Sequence, residues 1–211
     1  MDENLRSVWD RIADSWTNLR PRPEPNVLEF SKDCKGLVVD IGCGNCRNLI
    51  PFKGKLVGID FSKNMVKEAK KFCERRDMNV FLVIGDAVNL PIKDGVANCI
   101  IYTSVISHIK KREDRIRSLE EVRRVAKVDA KIILSIWNRW QKRFFLKLII
   151  SFLKGEYPNV YVDWNYHGKV YKRFYHLYTK SEMKKDLEEV GFIIERIFKD
   201  KKGGIWFLVR K

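Results

Sequence analysis

Apolar positions recur at two spacings along this chain, and the spacing changes with position. Leu5, Val8, Trp9, Ile12, Ala13 and Trp16 step by three and one, the apolar stripe of an amphipathic helix. The run Arg20-Pro-Arg-Pro-Glu-Pro25 ends that helix, because each proline denies the preceding residue the helical region. From Leu37 the apolar runs become short: Leu37–Asp40, Leu56–Asp60, Val80–Ile84, Cys99–Tyr102 and Lys131–Trp137 read as strands. Helical spacing returns between them, in Ser62–Arg75 (Met65, Val66, Ala69, Phe72) and in Arg112–Ala126 (Ile116, Leu119, Val122, Val125). This alternation predicts an α/β protein whose parallel sheet carries helices on both faces.

The last third departs from the alternation. Thr179 and Glu182 form a capping box for a helix carrying Met183, Leu187 and Val190, which Gly191 stops. Phe192–Phe198 and Ile205–Val209 flank Lys201-Lys-Gly-Gly204, a hairpin that would close the sheet antiparallel. Between Asn138 and Thr179 the chain holds 12 of its 25 aromatics. Residues 139–185 carry 11 Lys/Arg against 3 Asp/Glu. Cations interleaved with aromatics suit a surface that tracks phosphates and stacks bases. An inserted helix and strand whose aromatics are core is the competing reading. Substrate contact is favoured, because insertions after a strand's carboxyl end overhang the ligand crevice.

Composition adds three limits. A length of 211 residues fits a single domain, 1–211, with residues 1–25 as an N-terminal lid helix and Pro-rich segment and 138–179 as the insertion. A net charge of +15 favours a polyanionic partner, nucleic acid before membrane. The five cysteines (34, 43, 46, 73, 99) are odd in number, and Met1 to Arg22 has no uninterrupted apolar core of a signal peptide. The expectation is a cytoplasmic protein with free thiols. The longest apolar stretch, Phe144–Leu153, is broken by Lys147 and far short of the roughly 20 residues a membrane span needs, so no membrane partner is expected.

The sharpest local signal is Val38-Val-Asp-Ile-Gly-Cys-Gly-Asn45. A strand ends in Asp40 and runs into Gly42, Cys43, Gly44 and Asn45, where the glycines let a ligand lie against the main chain. Asp60, 20 residues on and followed by Phe61, ends the next strand, placed to accept from both hydroxyls of a ribose. Asp86, followed by Ala87, ends the third strand and suits an exocyclic adenine amine, and Thr103 follows the fourth. Three acids suit a ribose, an adenine and a cationic amino-acid end, which together describe S-adenosylmethionine. A pyrophosphate would be repelled by Asp40. Cys43-x-x-Cys46 has metal-ligand spacing but no second pair, so no metal is expected.

This pattern resembles the class I S-adenosylmethionine-dependent methyltransferases, with one departure: the loop's usual third glycine is Cys46. Further motifs narrow the resemblance: Arg20-x-x-Pro23-x-Pro25, Ser104-Val-Ile-Ser-His108, Arg112-Glu-Asp-Arg115, Glu120-Glu-Val-Arg-Arg-Val125, Tyr171-Lys-Arg-Phe-Tyr-His-Leu-Tyr178 and Trp206. Together they look like the wobble-uridine tRNA carboxymethyl methyltransferase family. That resemblance implies a Rossmann-like, seven-stranded, mostly parallel sheet and esterification of 5-carboxymethyluridine in the tRNA anticodon stem-loop. It implies an acceptor-side arginine, Arg20 first and Arg139 second, with His108 positioning the uracil and Trp137, Tyr175, His176 and Tyr178 on the substrate. It also implies a small zinc-binding activator subunit, for which the apolar edge strand Asn79–Ile84 is the expected seat. Two rivals are a methyltransferase acting on a small apolar molecule such as a quinone precursor, and a non-enzymatic tRNA-binding protein whose cofactor site has decayed.

Overall fold

The computed structural model describes residues 4–211. Helix α1 (Leu5–Asn18) starts at Asn4, whose side chain accepts the Arg6 N–H at 3.0 Å. A short helix, α2 (Pro25–Ser31), was not expected: the last proline of the breaker run takes the first helical turn, where no N–H is needed. The alternating part follows as β1 (Leu37–Ile41), β2 (Lys55–Asp60), α3 (Lys63–Glu74), β3 (Val80–Ile84), β4 (Ala97–Thr103), α4 (Arg112–Val125) and β5 (Ala126–Ile136). Then come α5 (Phe145–Leu153), β6 (Asn159–Tyr166), β7 (Lys169–His176), α6 (Lys180–Val190), β8 (Ile193–Lys199) and β9 (Ile205–Arg210).

The main sheet has seven strands in the order β3-β2-β1-β4-β5-β9-β8. The first five are parallel, and β9 runs antiparallel between β5 and β8. The expected mostly parallel sheet with an antiparallel end is therefore present. Its central strands are buried on both faces, as parallel strands covered by helices must be. One layer packs Val39, Ile100, Tyr102, Leu119, Met183 and Phe207; the other packs Val38, Leu49, Cys73, Ile101, Ile133 and Trp206. The strand order reverses between β1 and β4, which puts a ligand crevice at their carboxyl ends. The capping box of α6 is formed, with Glu182 N–H donating to Thr179 Oγ1 at 3.1 Å, and Gly191 stops the helix at φ 86°.

The insertion is a helix and a separate two-stranded sheet, β6–β7. Tyr171 of β7 packs on Val8 and Ile12 of α1, Trp164 Nε1–H donates to Ser15 Oγ at 2.8 Å, and the Tyr166 hydroxyl donates to Asp14 at 3.1 Å. On its other side α1 is held by Asp10, which accepts from Ser62 Oγ at 2.6 Å and from Asn64 N–H at 2.9 Å. The helix that carries Trp9 and Trp16 is thus clamped between the insertion and α3. Residues 1–3 of the expected lid segment lie outside the described residues.

The five cysteines are not all free. Cys34 and Cys99 form a disulfide with Cα atoms 6.0 Å apart, and Cys43, Cys46 and Cys73 remain as buried thiols. Cys34 lies just ahead of β1, and Cys99 sits in β4 opposite Val38 of β1. The 65-residue separation hides a pairing that only the strand order creates. Among the described residues no helix is long and apolar enough to cross a membrane.

Candidate active site

A cavity of about 340 Å³ opens at the carboxyl ends of β1, β2, β4 and β5, walled by α1 and the insertion. Its floor is the loop after β1. Gly42 (φ 68°), Gly44 (φ 54°) and Cys46 (φ 64°) are all in the left-handed region, so the cysteine adopts the conformation a glycine would take there. A Cβ on Gly42 would stand 2.3 Å from Val105 Cγ2, and one on Gly44 would stand 2.8 Å from the Trp16 ring. Cys46 is accommodated from below. A Cβ on Gly58 of β2 would lie 2.8 Å from its Sγ and 3.1 Å from that of Cys43, so Gly58 makes room for two thiols. A hydrogen bond with Cys46 pulls the Cys43 thiol down, but burial together with Asp60, Asp40 and Cys73 outweighs it and pushes it up to about 11. Among the described residues no group of His, Cys, Asp and Glu is arranged to hold a metal.

The acids divide by depth. Asp60 faces the cavity and knits it together: Oδ2 accepts the Gly44 N–H and Oδ1 the Ser62 N–H, each at 3.0 Å. Burial raises its pKa to about 6, against the opposing pull of those two donors. Asp86 is half-exposed on the cavity rim, where it accepts the Val88 N–H at 3.2 Å and stands 3.8 Å from Arg6. Phe61, Ala87 and Thr103 complete this wall, Thr103 Oγ1 accepting from Asn48 at 3.2 Å. Asp40 does not line the cavity. It is fully buried, burial raises its pKa well above the carboxylate range, and its Oδ2 has no donor among the described residues. Asn45 also faces away, its amide donating to the carbonyls of Arg20 (3.0 Å) and Thr17 (3.5 Å) and so fixing the loop to the end of α1. A loop whose two glycines leave no room for a Cβ, and a carboxylate at the end of β2, fit a nucleoside ligand with hydroxyl donors.

Arg20, His108, Trp137 and Tyr175 line the other half. His108 meets Trp9 and Tyr175 edge-on, with ring centroids 5.0 and 4.5 Å away. Its Nδ1 lies 2.9 Å from the Phe174 carbonyl, which only accepts, so Nδ1 carries the proton. Burial lowers its pKa to about 4, and the ring is neutral at pH 7. Arg20 lies between the rings of Trp16 (5.0 Å) and Trp164 (5.2 Å).

Besides Asp40 and Asn45, three expected site residues are elsewhere. Arg139 is tied to the start of α6, its Nε–H donating to the Leu177 carbonyl at 2.9 Å and its Nη2 pairing with Glu182 at 2.7 Å. His176 is held between Asn159 (2.8 Å) and Glu182 (2.6 Å). Tyr178 is buried in the main core, its hydroxyl 3.4 Å from Asp186. Period-two alternation along β7 gives the reason: Arg173 and Tyr175 reach the cavity, so His176 faces the other way. Sequence reasoning missed Arg47, Arg143 and Arg173, all on the cavity wall. Arg173 stood inside the Tyr171–Tyr178 motif, and Arg143 only four residues beyond Arg139.

Comparison with known proteins agrees with this geometry. A family model described as a methyltransferase domain matches residues 39–134. The "Putative methyltransferase ECU09_1500" of Encephalitozoon cuniculi is 30% identical over 194 residues, covering 90% of this chain and 84% of that protein. The tRNA (carboxymethyluridine(34)-5-O)-methyltransferase of Schizosaccharomyces pombe is 25% identical, covering 90% and 89%. The tRNA (carboxymethyluridine(34)-5-O)-methyltransferase ALKBH8 of Macaca fascicularis is 30% identical over 72% of this chain, but this chain spans only 22% of that relative's length. Among solved structures, a chain of the "Complex between the Haloferax volcanii Trm112 methyltransferase activator and the putative methyltransferase" has a TM-score of 0.71 at 15% identity, with 98% of this chain and 97% of that chain covered.

Proposed function

This chain belongs to the class I S-adenosylmethionine-dependent methyltransferases, and from that premise we propose that it esterifies the carboxymethyl group of a wobble 5-carboxymethyluridine in tRNA. The observation that carries the reading is Arg20, a half-buried guanidinium at the acceptor end of the cavity, held between two tryptophans. A carboxylate acceptor is ionised at pH 7 and needs no general base. His108, neutral with its proton on Nδ1, suits orientation of the uracil through Nε2 rather than proton abstraction. Trp137 and Tyr175 wall the same space and exclude water from it. S-adenosylmethionine, when bound, supplies an electrophilic methyl group. Gly42, Cys43 and Gly44 would pass under it, Asp60 would accept from its ribose and Asp86 from its adenine amine, with Phe61, Ala87 and Thr103 alongside. A small apolar acceptor would leave the cavity arginines, the buried Arg173 above all, without counter-charge, which argues against that rival. A tRNA acceptor makes the cytoplasm the site of action.

The test is nucleoside mass spectrometry after incubation with methyl-labelled S-adenosylmethionine and tRNA carrying 5-carboxymethyluridine. Label in a methyl ester that mild base removes is expected. Intact cofactor binding without label, in the presence of an activator, would sink the assignment.

Asp60 sets a pH limit on the cofactor. Ribose hydroxyls donate to the carboxylate, not the acid, so proton and cofactor compete for the same group. With a pKa of about 6 in the free protein, affinity is expected to be flat above pH 7 and to fall up to tenfold per unit below pH 6. Calorimetry across pH 5–8 measures this, and Asp60→Asn should abolish the slope; a slope that survives the substitution rejects the ribose contact.

The edge strand β3 suits an activator. Phe81 and Ile84 are 70% and 53% exposed, and one side of the strand has no neighbour in the sheet. The structural neighbour from Haloferax is in a complex with a methyltransferase activator. A partner adding a strand here would cover both residues, and any zinc would belong to the partner. Phe81→Asp is expected to weaken association by about 10- to 100-fold with an unchanged melting temperature. Unchanged association in a titration would move the partner elsewhere.

A further inference from the structure

The acceptor end of the cavity holds more positive charge than one carboxylate uses. Its wall alternates rings and guanidinium groups. Arg20 lies between Trp16 and Trp164; Arg173 lies over Trp164 (4.7 Å) and Tyr175 (5.5 Å); Tyr175 meets Trp137 edge-on (5.2 Å); and Arg143 lies over Trp137 (4.2 Å). Ring contacts of this kind leave guanidinium N–H groups for a ligand, although Arg143 Nη2 also donates to Gln141 Oε1 at 3.3 Å. Arg173 is only 7% exposed, and its Nε has no acceptor; the buried Trp137 Nε1 has none either. Both side chains line the cavity.

Two of the nearby acids are already engaged, while the exposed Asp163 still favours the charged form of Arg173. Glu24 pairs with Arg47 at 2.6 Å. Asp200 accepts the N–H groups of Lys202 and Gly204 at 2.8 and 2.9 Å and Trp206 Nε1–H at 2.8 Å. Among the described residues no ion pair neutralises Arg20, Arg143 or Arg173. Burial lowers the pKa of all three, and the charge of Arg173 adds to that at the other two. A buried Arg173 with the half-buried Arg20 and the more open Arg143 beside it is costly in the free protein, and a ligand with more than one negative charge offsets that cost.

We infer that this end of the cavity is a two-anion receptor, in which Arg20 takes the acceptor carboxylate while Arg173 and Arg143 clamp a phosphodiester of the same nucleotide. Position divides the roles. Trp16, over which Arg20 lies, stands against Gly44 of the cofactor loop, so Arg20 sits on the cofactor side of the cluster, and Arg47 on the same ring is already paired with Glu24. Arg143 follows the end of β5, on the side of Gln141 and the β8–β9 turn with Lys202. The carboxylate half rests on the proposed wobble-uridine reading; the phosphate half does not. A nucleotide within a strand would then be held by its backbone as well as its base, and a free nucleoside would be a poor ligand.

The test uses uridine 3′,5′-bisphosphate against uridine, neither of which has a carboxymethyl group, titrated calorimetrically into the protein at fixed ionic strength. The bisphosphate is expected to bind at least tenfold more tightly. Arg173→Gln and Arg143→Gln should each remove most of that advantage without changing affinity for S-adenosylmethionine. Arg173→Lys should restore part of it, because it keeps the charge but loses the planar fork. If Arg173→Gln fails to fold, the less buried Arg143 carries the same test. Equal binding of bisphosphate and uridine, or variants that leave the tenfold preference intact, would overturn the clamp. Bisphosphate preference without esterification of carboxymethyluridine would remove the wobble reading and keep the clamp. Esterification without the preference would do the reverse.

Discussion

Arg20→Gln is expected to lower kcat/KM for the carboxymethyl acceptor by roughly 100- to 1,000-fold, with cofactor affinity within about twofold of the parent. The guanidinium lies on the cofactor side of the cavity without an ion-pair partner among the described residues, and a charge-assisted hydrogen bond in a water-poor site contributes about 2–4 kcal/mol to holding a carboxylate in line. The structure predicts why the cofactor half should survive. The loop's tie to α1 uses the carbonyl of Arg20, accepting from Asn45, and a side-chain substitution leaves that bond in place. Arg20→Lys should fall between the two, at roughly tenfold, since it keeps the charge but loses both the fork and the stacking on Trp16 and Trp164. Single-turnover kinetics with saturating cofactor would measure this. Activity within threefold of the parent, or a loss of cofactor affinity parallel to the loss of rate, would take Arg20 out of its role.

What could be read from the chain without coordinates was whatever local chemistry dictates. Strands β1 and β2 end in acids that mark their carboxyl ends, and positive-φ turns need glycine or a small residue, so the floor of the cavity was legible down to Cys46. The cap of α6 was legible because Thr179 and Glu182 bond to each other's backbone within one turn. The acceptor half was not, because it is assembled by packing between distant segments. Arg20, Trp164 and Trp16 meet only when β6–β7 folds onto α1, across well over a hundred residues. Arg139 and Arg143 carry the same charge on the same stretch, yet Glu182 and the Leu177 carbonyl claim the first while Trp137 holds the second against the cavity. The pleat of β7 decided between Tyr175 and His176, and no motif states which face of an inserted strand turns inward. The disulfide failed for the same reason: Cys34 and Cys99 become neighbours through the β1–β4 pairing, which is a property of the sheet order.

Gly44→Ala joins the two halves of the site and is expected to damage both. At φ 54° an alanine costs about 1–2 kcal/mol in the left-handed region. Its Cβ would also stand 2.8 Å from the Trp16 ring, closer than any real contact, so the tryptophan must move or the loop must rise into the cofactor's place. Cofactor affinity should therefore fall by roughly 30-fold or more, as a strain of about 2–4 kcal/mol is transferred to the bound state. Because Trp16 is also one of the two rings that hold Arg20, the rate at saturating cofactor should fall as well, which strain confined to the loop would not produce. A double-mutant cycle separates the causes. Trp16→Ala removes the ring that the new methyl group strikes, so the combined variant should bind cofactor more tightly than Gly44→Ala alone, with a coupling of about 1–2 kcal/mol, while its rate stays low because Arg20 has lost its support. Strict additivity in cofactor affinity would mean that the backbone conformation, and not the contact with Trp16, explains the glycine. A recovered rate in the double variant would mean that Trp16 does not position Arg20.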